Sequence, residues 1–268
     1  PASKLVRHIH LPLPSTALKE GSLRRPSRTG TQIHPISRDG PTRFRAPGPF
    51  VRNPKICFLA SEIDALKAQI DASYERLASA ARLGCDTETS GLSARHGRLF
   101  SVQFSDGEYN VLVPVSEGVQ LGKLRSILEE PSIVKIFHNA KFDLEFLAES
   151  GYRVENVFDT MIAEKILTRG ANQSASLAET LYRYFAVDLD KSQRAKFNRK
   201  WDGVWTDELV DYALSDVIHL PRLMREQVEW IDRLGLRSRY DEQIKHLVPA
   251  AVPDSGSYAD DGGRRDRS

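Results

Sequence analysis

Acidic residues interrupt apolar, regular segments of this chain at three separate places, and any fold it adopts must accommodate them. The first segment, residues 82–89, is predicted to be a short strand on which Asp86 and Glu88 share one face, because side chains alternate along a strand. Two like charges this close repel each other unless a cation lies between them. The alternative, a solvated edge strand, is disfavoured by apolar neighbours and by the turn signal Ser90-Gly91-Leu92 that follows.

The second acid lies on a predicted helix that begins near Asn139 and ends near Glu149. Asp143 falls on the same helix face as Phe146 and Leu147, three and four residues later, so it is expected to face the core. Glu145 falls on a different face and is expected to be solvated. Asn139 is predicted to be the N-cap of this helix.

The third acid lies on a long helix predicted from Thr206 to about Ile231. Asp216 is seven residues from Leu209 and four from Leu220, within the apolar stripe, and Tyr212 lies four residues before it on the same face. A buried carboxylate without a partner is costly, so such acids are paired or bind metal. Pro221 lies inside this helix and predicts a kink or break there.

The order of the predicted elements indicates an α/β fold class. The signal Ser105-Asp106-Gly107-Glu108 predicts a hairpin, and helices alternate with strands after it. The candidate strands cover residues 82–89, 99–104, 109–115, 133–137 and 154–158. We therefore expect one α/β domain with a mixed five-stranded sheet flanked by helices.

Charge and composition divide the chain into three parts. Residues 1–56 carry eleven Lys or Arg against two acids and are rich in proline, which predicts a basic, largely disordered tail. A tail with weak affinity for nucleic acid is favoured over an organelle transit peptide, because prolines oppose the amphipathic helix of such peptides. Residues 57–245 are expected to form the folded domain, and residues 246–268 a second disordered tail.

Several protein classes are excluded by the sequence. No apolar run approaches the roughly 18 residues of a membrane span, so no membrane association is expected. Cys57 and Cys85 form no CxxC pair, which argues against a disulfide scaffold and a structural zinc site. A reducing compartment fits best, so a cytoplasmic location is expected. No obligate protein partner is inferred.

The four inward-facing acids, Asp86, Glu88, Asp143 and Asp216, point to metal chemistry. Their combined charge matches two divalent cations, and oxygen-only ligands suit Mg²⁺ or Mn²⁺ better than zinc. A pair of such ions is a known device for in-line hydrolysis of phosphodiester bonds.

The order and spacing of these residues resemble a known family. The three motifs are Asp86-x-Glu88, Asn139-x-x-x-Asp143 and Tyr212-x-x-x-Asp216. They resemble the exonuclease motifs of the DEDD superfamily, and the tyrosine resembles that of its DEDDy branch, which includes RNase D and the proofreading domain of DNA polymerase I. The resemblance covers residues 57–245, with no polymerase segment following, as in a stand-alone exonuclease domain.

The resemblance implies an RNase H-like fold and 3′→5′ removal of nucleoside monophosphates from a single-stranded 3′ end of DNA or RNA. By position, it implies that Asp86 bridges both metals and that Glu88 and Asp216 complete the catalytic metal site. Asp143 would hold the second metal, partly through water, and Tyr212 would orient the attacking water. The phenol of tyrosine favours a hydrogen-bonding role over that of a general base.

Further residues are candidates for substrate binding. Leu92 matches the family position that wedges against the terminal bases, although a core leucine beside a turn is the alternative. The resemblance implies that Thr89 positions the 3′ nucleotide and that Asn139 positions the second motif. Residues 187–205 form a charged connector, of which residues 191–201 are basic with interleaved aromatic residues; the candidates for phosphate contact are Lys191, Arg194, Lys196 and Arg199. Its Phe197 and Trp201 either stack on bases or pack inward.

Three functions remain open at this point. The first is a 3′–5′ exonuclease, either RNA-processing like RNase D or DNA-proofreading. The second is a catalytically weak nucleic-acid-binding module, which the complete set of acids disfavours. The third is an RNase H-like nuclease that cuts internally, which Tyr212 disfavours.

Overall fold

The computed structural model describes residues 60–115, 119–169 and 171–247. The predicted basic tail 1–56 lies outside the described residues, as does all of the predicted second tail except His246 and Leu247. The described residues belong to one compact unit. No helix within them combines the length and the apolar character that crossing a bilayer requires.

A mixed sheet of five strands forms the centre of the fold. The strands are β1 (Arg82–Thr89), β2 (Leu99–Ser105), β3 (Asn110–Pro114), β4 (Val134–Phe137) and β5 (Val157–Asp159). Their order is β3-β2-β1-β4-β5. Strand β2 pairs antiparallel with both β1 and β3, whereas β4 pairs in parallel with β1 and β5 pairs in parallel with β4. The predicted α/β class with a five-stranded mixed sheet is confirmed. Strand β5 begins later than predicted because Asn156, with φ 53°, interrupts the extended backbone.

Eight helices flank the sheet in the described part of the chain. They are α1 (Ala60–Leu77), α2 (Leu124–Glu129), α3 (Ala140–Glu149), α4 (Thr160–Leu167), α5 (Leu177–Phe185), α6 (Asp207–Ile218), α7 (Leu220–Arg233) and α8 (Arg237–Lys245). The long helix predicted from Thr206 is divided at His219, as the break predicted at Pro221 requires. Pro221 lies in the first turn of α7, where its missing N–H costs no hydrogen bond.

The helices cover the two faces of the sheet in separate layers. Helices α1, α2 and α3 pack on the face that carries Leu83 and Cys85 of β1. Helices α4, α6, α7 and α8 pack on the opposite face. Gly84 lets α6 approach β1 closely, because a Cβ atom there would lie 2.5 Å from the carbonyl oxygen of Val217. The carboxyl end of β1 is therefore bordered by α3 on one face and by α6 on the other.

Candidate active site

Three carboxylates converge at the carboxyl end of β1. Asp86 and Glu88 lie on the face of β1 that meets α6, and Asp216 comes from α6. Oxygen atoms of the three carboxylates all lie within 4.8 Å of one another, a grouping that could hold a metal ion. The three carboxylates therefore lie close together, with Glu88 buried and Asp86 and Asp216 half-buried.

Asp143 reaches the same region from the other face of β1. It lies in the first turn of α3, is 2% exposed, and accepts a 2.7 Å hydrogen bond from Thr87 Oγ1. Thr87 was not predicted as a site residue, although its position between Asp86 and Glu88 places its hydroxyl on the α3 face. Glu145 is exposed, as predicted.

Asn139 occupies the predicted N-cap position of α3, but its side chain does not act as the cap. Its backbone is left-handed, with φ 73°, and its exposed side chain makes no cap hydrogen bond. Asp159 caps the helix instead: its Oδ2 accepts from Ala140 N at 2.8 Å and its Oδ1 from Asn139 N at 3.3 Å. The left-handed turn frees the Asn139 amide to line the cavity beside the acids.

The acids line a cavity of about 370 Å³. Tyr212 and the substrate candidates Thr89, Leu92, Asn139, Lys191 and Arg194 also line it. Leu92 is 85% exposed, so the alternative of a buried core leucine is wrong. Thr89 is buried, and its hydroxyl donates to the carbonyl oxygen of Gly91 at 3.0 Å, which ties it to the turn before Leu92.

The basic connector divides into two pairs of residues. Lys191 and Arg194 line the cavity with the acids. Lys196 and Arg199 are exposed and lie outside the cavity lining. The structure therefore brings only the first pair to the site.

The aromatic residues of the connector pack inward. Phe197 is 9% exposed, and its ring centroid lies 5.2 Å from that of Trp201, 5.5 Å from Trp205 and 6.0 Å from Tyr212. Trp201 also packs edge-on against Phe100 of β2, at 4.6 Å. Of the two interpretations of Phe197 and Trp201, inward packing is the one observed. This cluster fastens the connector beside Tyr212.

Residues 65–227, more than half of the chain, match the family described as 3′–5′ exonuclease. The chain belongs to the 3′–5′ exonuclease family. The predicted family, the enzyme class and the RNase H-like fold are thereby confirmed.

Two curated relatives of this exonuclease domain illustrate its range. DNA polymerase I of Aquifex aeolicus (strain VF5) is 31% identical over 174 residues, which cover 65% of this chain and 28% of that protein. Ribonuclease D of Jannaschia sp. (strain CCS1) is 31% identical over 148 residues, or 54% of this chain and 37% of that protein. The chain thus spans well under half the length of these relatives.

One solved structure matches the exonuclease domain over most of its own length. NrnC of Brucella melitensis bound to pGG is 31% identical, with a TM-score of 0.57, over 63% of this chain and 82% of that chain. The same protein has been solved with bound Mg²⁺, with a TM-score of 0.56.

The exonuclease acids hold unusually high pKa values. Burial, reinforced by the neighbouring acids, raises the pKa of Glu88 to about 8 and that of Asp86 well above its ordinary range. Burial also raises the pKa of Asp143 to about 7, against the hydrogen bond from Thr87, and that of Asp216 to about 6, against Lys191 and Arg194. Bringing these carboxylates together is costly unless positive charge joins them.

The pKa of Tyr212 is also raised, by burial first and then by the charges of Asp216 and Glu88. The phenol therefore stays protonated at neutral pH. A protonated phenol that lines the cavity can donate a hydrogen bond to a water molecule.

His138 is a second lining residue that the sequence analysis missed. Its Nε2 lies 2.9 Å from the carbonyl oxygen of Ala175, and its Nδ1 lies 2.9 Å from Thr160 Oγ1. Burial lowers its pKa to about 4, so the ring is neutral at neutral pH. These partners lie 37 and 22 residues away along the chain, and no local sequence pattern indicates them.

Proposed function

We propose that this chain is a metal-dependent 3′–5′ exonuclease that hydrolyses phosphodiester bonds from a single-stranded 3′ end and releases nucleoside monophosphates. The observation that supports this most strongly is the set of four acids with raised pKa values around one cavity, of which Glu88 and Asp143 are buried and Asp86 and Asp216 half-buried, together with the family membership. Buried acids that repel one another are poor stabilisers of a fold, but they suit a cation.

The donor set fits Mg²⁺ or Mn²⁺. Within the described residues, the group that could hold a metal consists of carboxylates alone, and oxygen donors suit these ions rather than zinc. We assign Asp86, Glu88 and Asp216 to one cation, and Asp86 with Asp143 to a second. When bound, the two cations would supply activation of the attacking water and stabilisation of the leaving oxygen. The structure of NrnC, a similar protein, with bound Mg²⁺ supports Mg²⁺ as the ion.

The remaining lining residues orient the substrate. Tyr212 holds the attacking water by a hydrogen bond, since its phenol stays protonated. Lys191 and Arg194 bind the phosphates, because they are the exposed cations that border the acids. Leu92 contacts the terminal base with its exposed side chain. Thr89 and Asn139 line the part of the cavity that receives the 3′ nucleotide.

The length of the nucleic acid is a separate question. The similarity to Ribonuclease D and DNA polymerase I supports a long RNA or DNA strand as the substrate, in RNA processing or in DNA proofreading. The match to NrnC, which covers 82% of that chain and was solved with pGG, favours a second candidate, a short 5′-phosphorylated oligonucleotide. A catalytically weak nucleic-acid-binding module is the alternative outside the enzyme class. We further propose a cytoplasmic enzyme that needs no obligate protein partner, with residues 57–245 as its exonuclease domain.

One experiment separates these candidates. Single-stranded DNA and RNA of one sequence, labelled at the 5′ end, and the dinucleotide pGG are incubated with the protein in Mg²⁺, Mn²⁺ or EDTA. A metal-dependent ladder that shortens from the 3′ end supports the exonuclease, and the preferred substrate identifies its class. Fragments from the middle of the strand would indicate an internal nuclease, and binding without cleavage would indicate a binding module.

Substitution of the acids tests the site itself. Asp86→Ala and Asp216→Ala are expected to abolish metal-dependent cleavage, because each removes a carboxylate from the three-acid group. Glu145→Ala, an exposed acid two residues from Asp143, is the control and should cleave normally. Near-normal cleavage by either site variant would contradict the assignment.

A further inference from the structure

The turn between β4 and α3, residues 137–140, supplies two parts of the proposed site. It places the exposed Asn139 side chain at the cavity in a left-handed backbone conformation. It also begins α3, whose first turn carries Asp143. A left-handed asparagine at a helix start needs external support, because neither the helix ladder nor its own side chain satisfies the backbone N–H groups there.

Two adjacent residues, Asp159 and Thr160, provide that support. The Asp159 carboxylate accepts hydrogen bonds from Asn139 N and Ala140 N, and it also caps α4 through Met161 N at 2.8 Å and Ile162 N at 3.1 Å. Thr160 Oγ1 lies 2.9 Å from His138 Nδ1 and 3.0 Å from the carbonyl oxygen of Phe137. One carboxylate thus joins the N-termini of two helices, where negative charge is favoured.

Asp159 is itself fixed from α8. Its backbone N–H donates a 2.8 Å hydrogen bond to the phenol oxygen of Tyr240, whose ring stacks on Phe158 at 4.8 Å. Asp159 is 2% exposed and Tyr240 is 3% exposed, so water does not compete for these bonds. Gln227 of α7 holds the next residue by donating to the carbonyl oxygen of Thr160 at 3.0 Å.

We propose that Asp159 is a positioning residue of the exonuclease: its carboxylate sets the start of α3 and so places Asp143 and Asn139, while Tyr240 fixes Asp159. The inference rests on the proposed function, since it concerns the same cavity. The effect should be selective, because Asp143 lies on α3, whose start Asp159 binds, whereas Asp86, Glu88 and Asp216 lie on β1 and α6. Loss of the Asp159 bonds should weaken the cation assigned to Asp143 and spare the cation held by Asp86, Glu88 and Asp216.

The variant Asp159→Asn separates positioning from general stability. An asparagine caps a helix about as well as aspartate, so its Oδ1 can keep the bonds to Met161 N and Ile162 N. Its Nδ2 then replaces the Oδ2 that accepts from Ala140 N, and two donors face each other at the start of α3. Asp106→Asn is the matched control, because Asp106 Oδ1 accepts from Glu108 N and Tyr109 N in the β2–β3 hairpin, at the opposite end of the sheet.

The readout is Mn²⁺ binding measured by calorimetry without nucleic acid, together with the Mg²⁺ concentration that gives half-maximal cleavage. We expect the unmodified protein to bind two Mn²⁺ ions. Asp159→Asn should weaken one of them by up to about tenfold, because groups that contact a metal ligand directly cost about tenfold or more when removed and Asp159 acts one step further away, through the start of α3. Asp143→Ala should weaken the same ion, and Asp106→Asn should weaken neither.

The outcomes decide the proposal in each case. Folded Asp159→Asn protein that binds both ions with normal affinity overturns it, as does equal weakening of both ions. If Asp159→Asn does not fold, Tyr240→Phe keeps the ring stack and removes only the hydroxyl; it should weaken the same ion by a smaller factor, and unchanged binding overturns the proposal. If the unmodified protein binds Mn²⁺ but cleaves nothing, the proposed function fails while the binding data still judge the role of Asp159.

Discussion

At the scale of single residues, Tyr212 shows how the cavity constrains a side chain to one role. Burial raises its pKa above the ordinary value of tyrosine, so without bound cations the phenol stays protonated at neutral pH and can orient water through a hydrogen bond. We expect Tyr212→Phe to lower kcat by about 10²-fold, the lower range for loss of a positioned proton-handling group, and to leave Mn²⁺ affinity unchanged. Tyr182→Phe, an exposed tyrosine on α5, is the control. A change in Mn²⁺ affinity for Tyr212→Phe would contradict a water-orienting role.

The two basic pairs of the connector allow an equally direct test. Lys191 and Arg194 line the cavity, whereas Lys196 and Arg199 do not. For a single strand, each lost phosphate contact should reduce the slope of log affinity against log salt concentration by about 0.7. The double variant Lys191→Ala/Arg194→Ala should therefore raise KM and flatten the salt dependence. A similar effect of Lys196→Ala/Arg199→Ala would show that the strand takes a different path.

At the scale of elements, the approach of α6 to β1 brings the three-acid group together. Gly84→Ala would place a Cβ atom 2.5 Å from Val217 O and 3.1 Å from Leu220 Cβ, so α6 must move outward with Tyr212 and Asp216. We expect a loss of about 1–3 kcal/mol in the free energy of unfolding. The rate of cleavage should fall by more than the increase in the unfolded fraction of the protein explains.

The control for Gly84→Ala is a variant of similar cost that leaves α6 in place. Gly151→Ala introduces strain at φ 80° with open space around the new methyl, at a cost of about 1–2 kcal/mol. Measured at a temperature where both variants are folded, Gly151→Ala should cleave normally. Equal activity of the two variants would mean that the α6–β1 distance does not set the site.

The elements themselves were largely predictable, since alternation and helical spacing are local signals. β1 was predicted with the bounds it has, and Pro221 predicted the division between α6 and α7. The errors arose where backbone conformation departed from these patterns. Asn139 and Asn156 both adopt left-handed conformations, which removed a predicted cap and delayed β5. A sequence pattern does not distinguish an asparagine that caps from one that turns the chain.

At the scale of the whole molecule, the acids make stability depend on pH and on metal. The pKa values of Glu88, Asp143 and Asp216 rise to about 8, 7 and 6 in the folded protein. A carboxyl whose pKa is higher in the folded than in the unfolded state stabilises the protein at low pH, and this contribution is lost as pH rises through the folded pKa. The pKa of His138 falls from 6.5 to about 4 in the folded protein, so its contribution to stability increases as pH rises toward 6.5.

We therefore expect the Tm in EDTA to fall from pH 6.5 to about pH 8, where the acids dominate. The rise in Tm caused by Mg²⁺ should grow over the same interval, because the cation binds the deprotonated carboxylates. Asp216→Asn should reduce the effect of Mg²⁺. A Tm in EDTA that increases across this interval would contradict the pKa assignment.

The acidic residues of the site could be predicted from the sequence, but the residues that hydrogen-bond to the acids and to the surrounding backbone could not. The acids stand out because each interrupts an apolar pattern, a signal visible within a few residues. Thr87, His138 and Asp159 act through partners 56, 37 and 20 residues away, so only the folded chain brings them together. Thr87 occupies a position that alternation alone could have flagged.

The aromatic cluster around the connector gives the protein an optical reporter of its own. Of its three tryptophans, Trp201 and Trp205 lie 4.9 Å apart and pack against Phe197, the ring that borders Tyr212. The third, Trp230, is 47% exposed on α7, outside this cluster. Iodide, which quenches exposed tryptophans, should reduce the fluorescence of Trp230 more than that of Trp201 and Trp205, and Trp230→Phe should remove the Trp230 fluorescence altogether. The remaining fluorescence would then follow the filling of the cavity by ions or nucleotides without any attached dye.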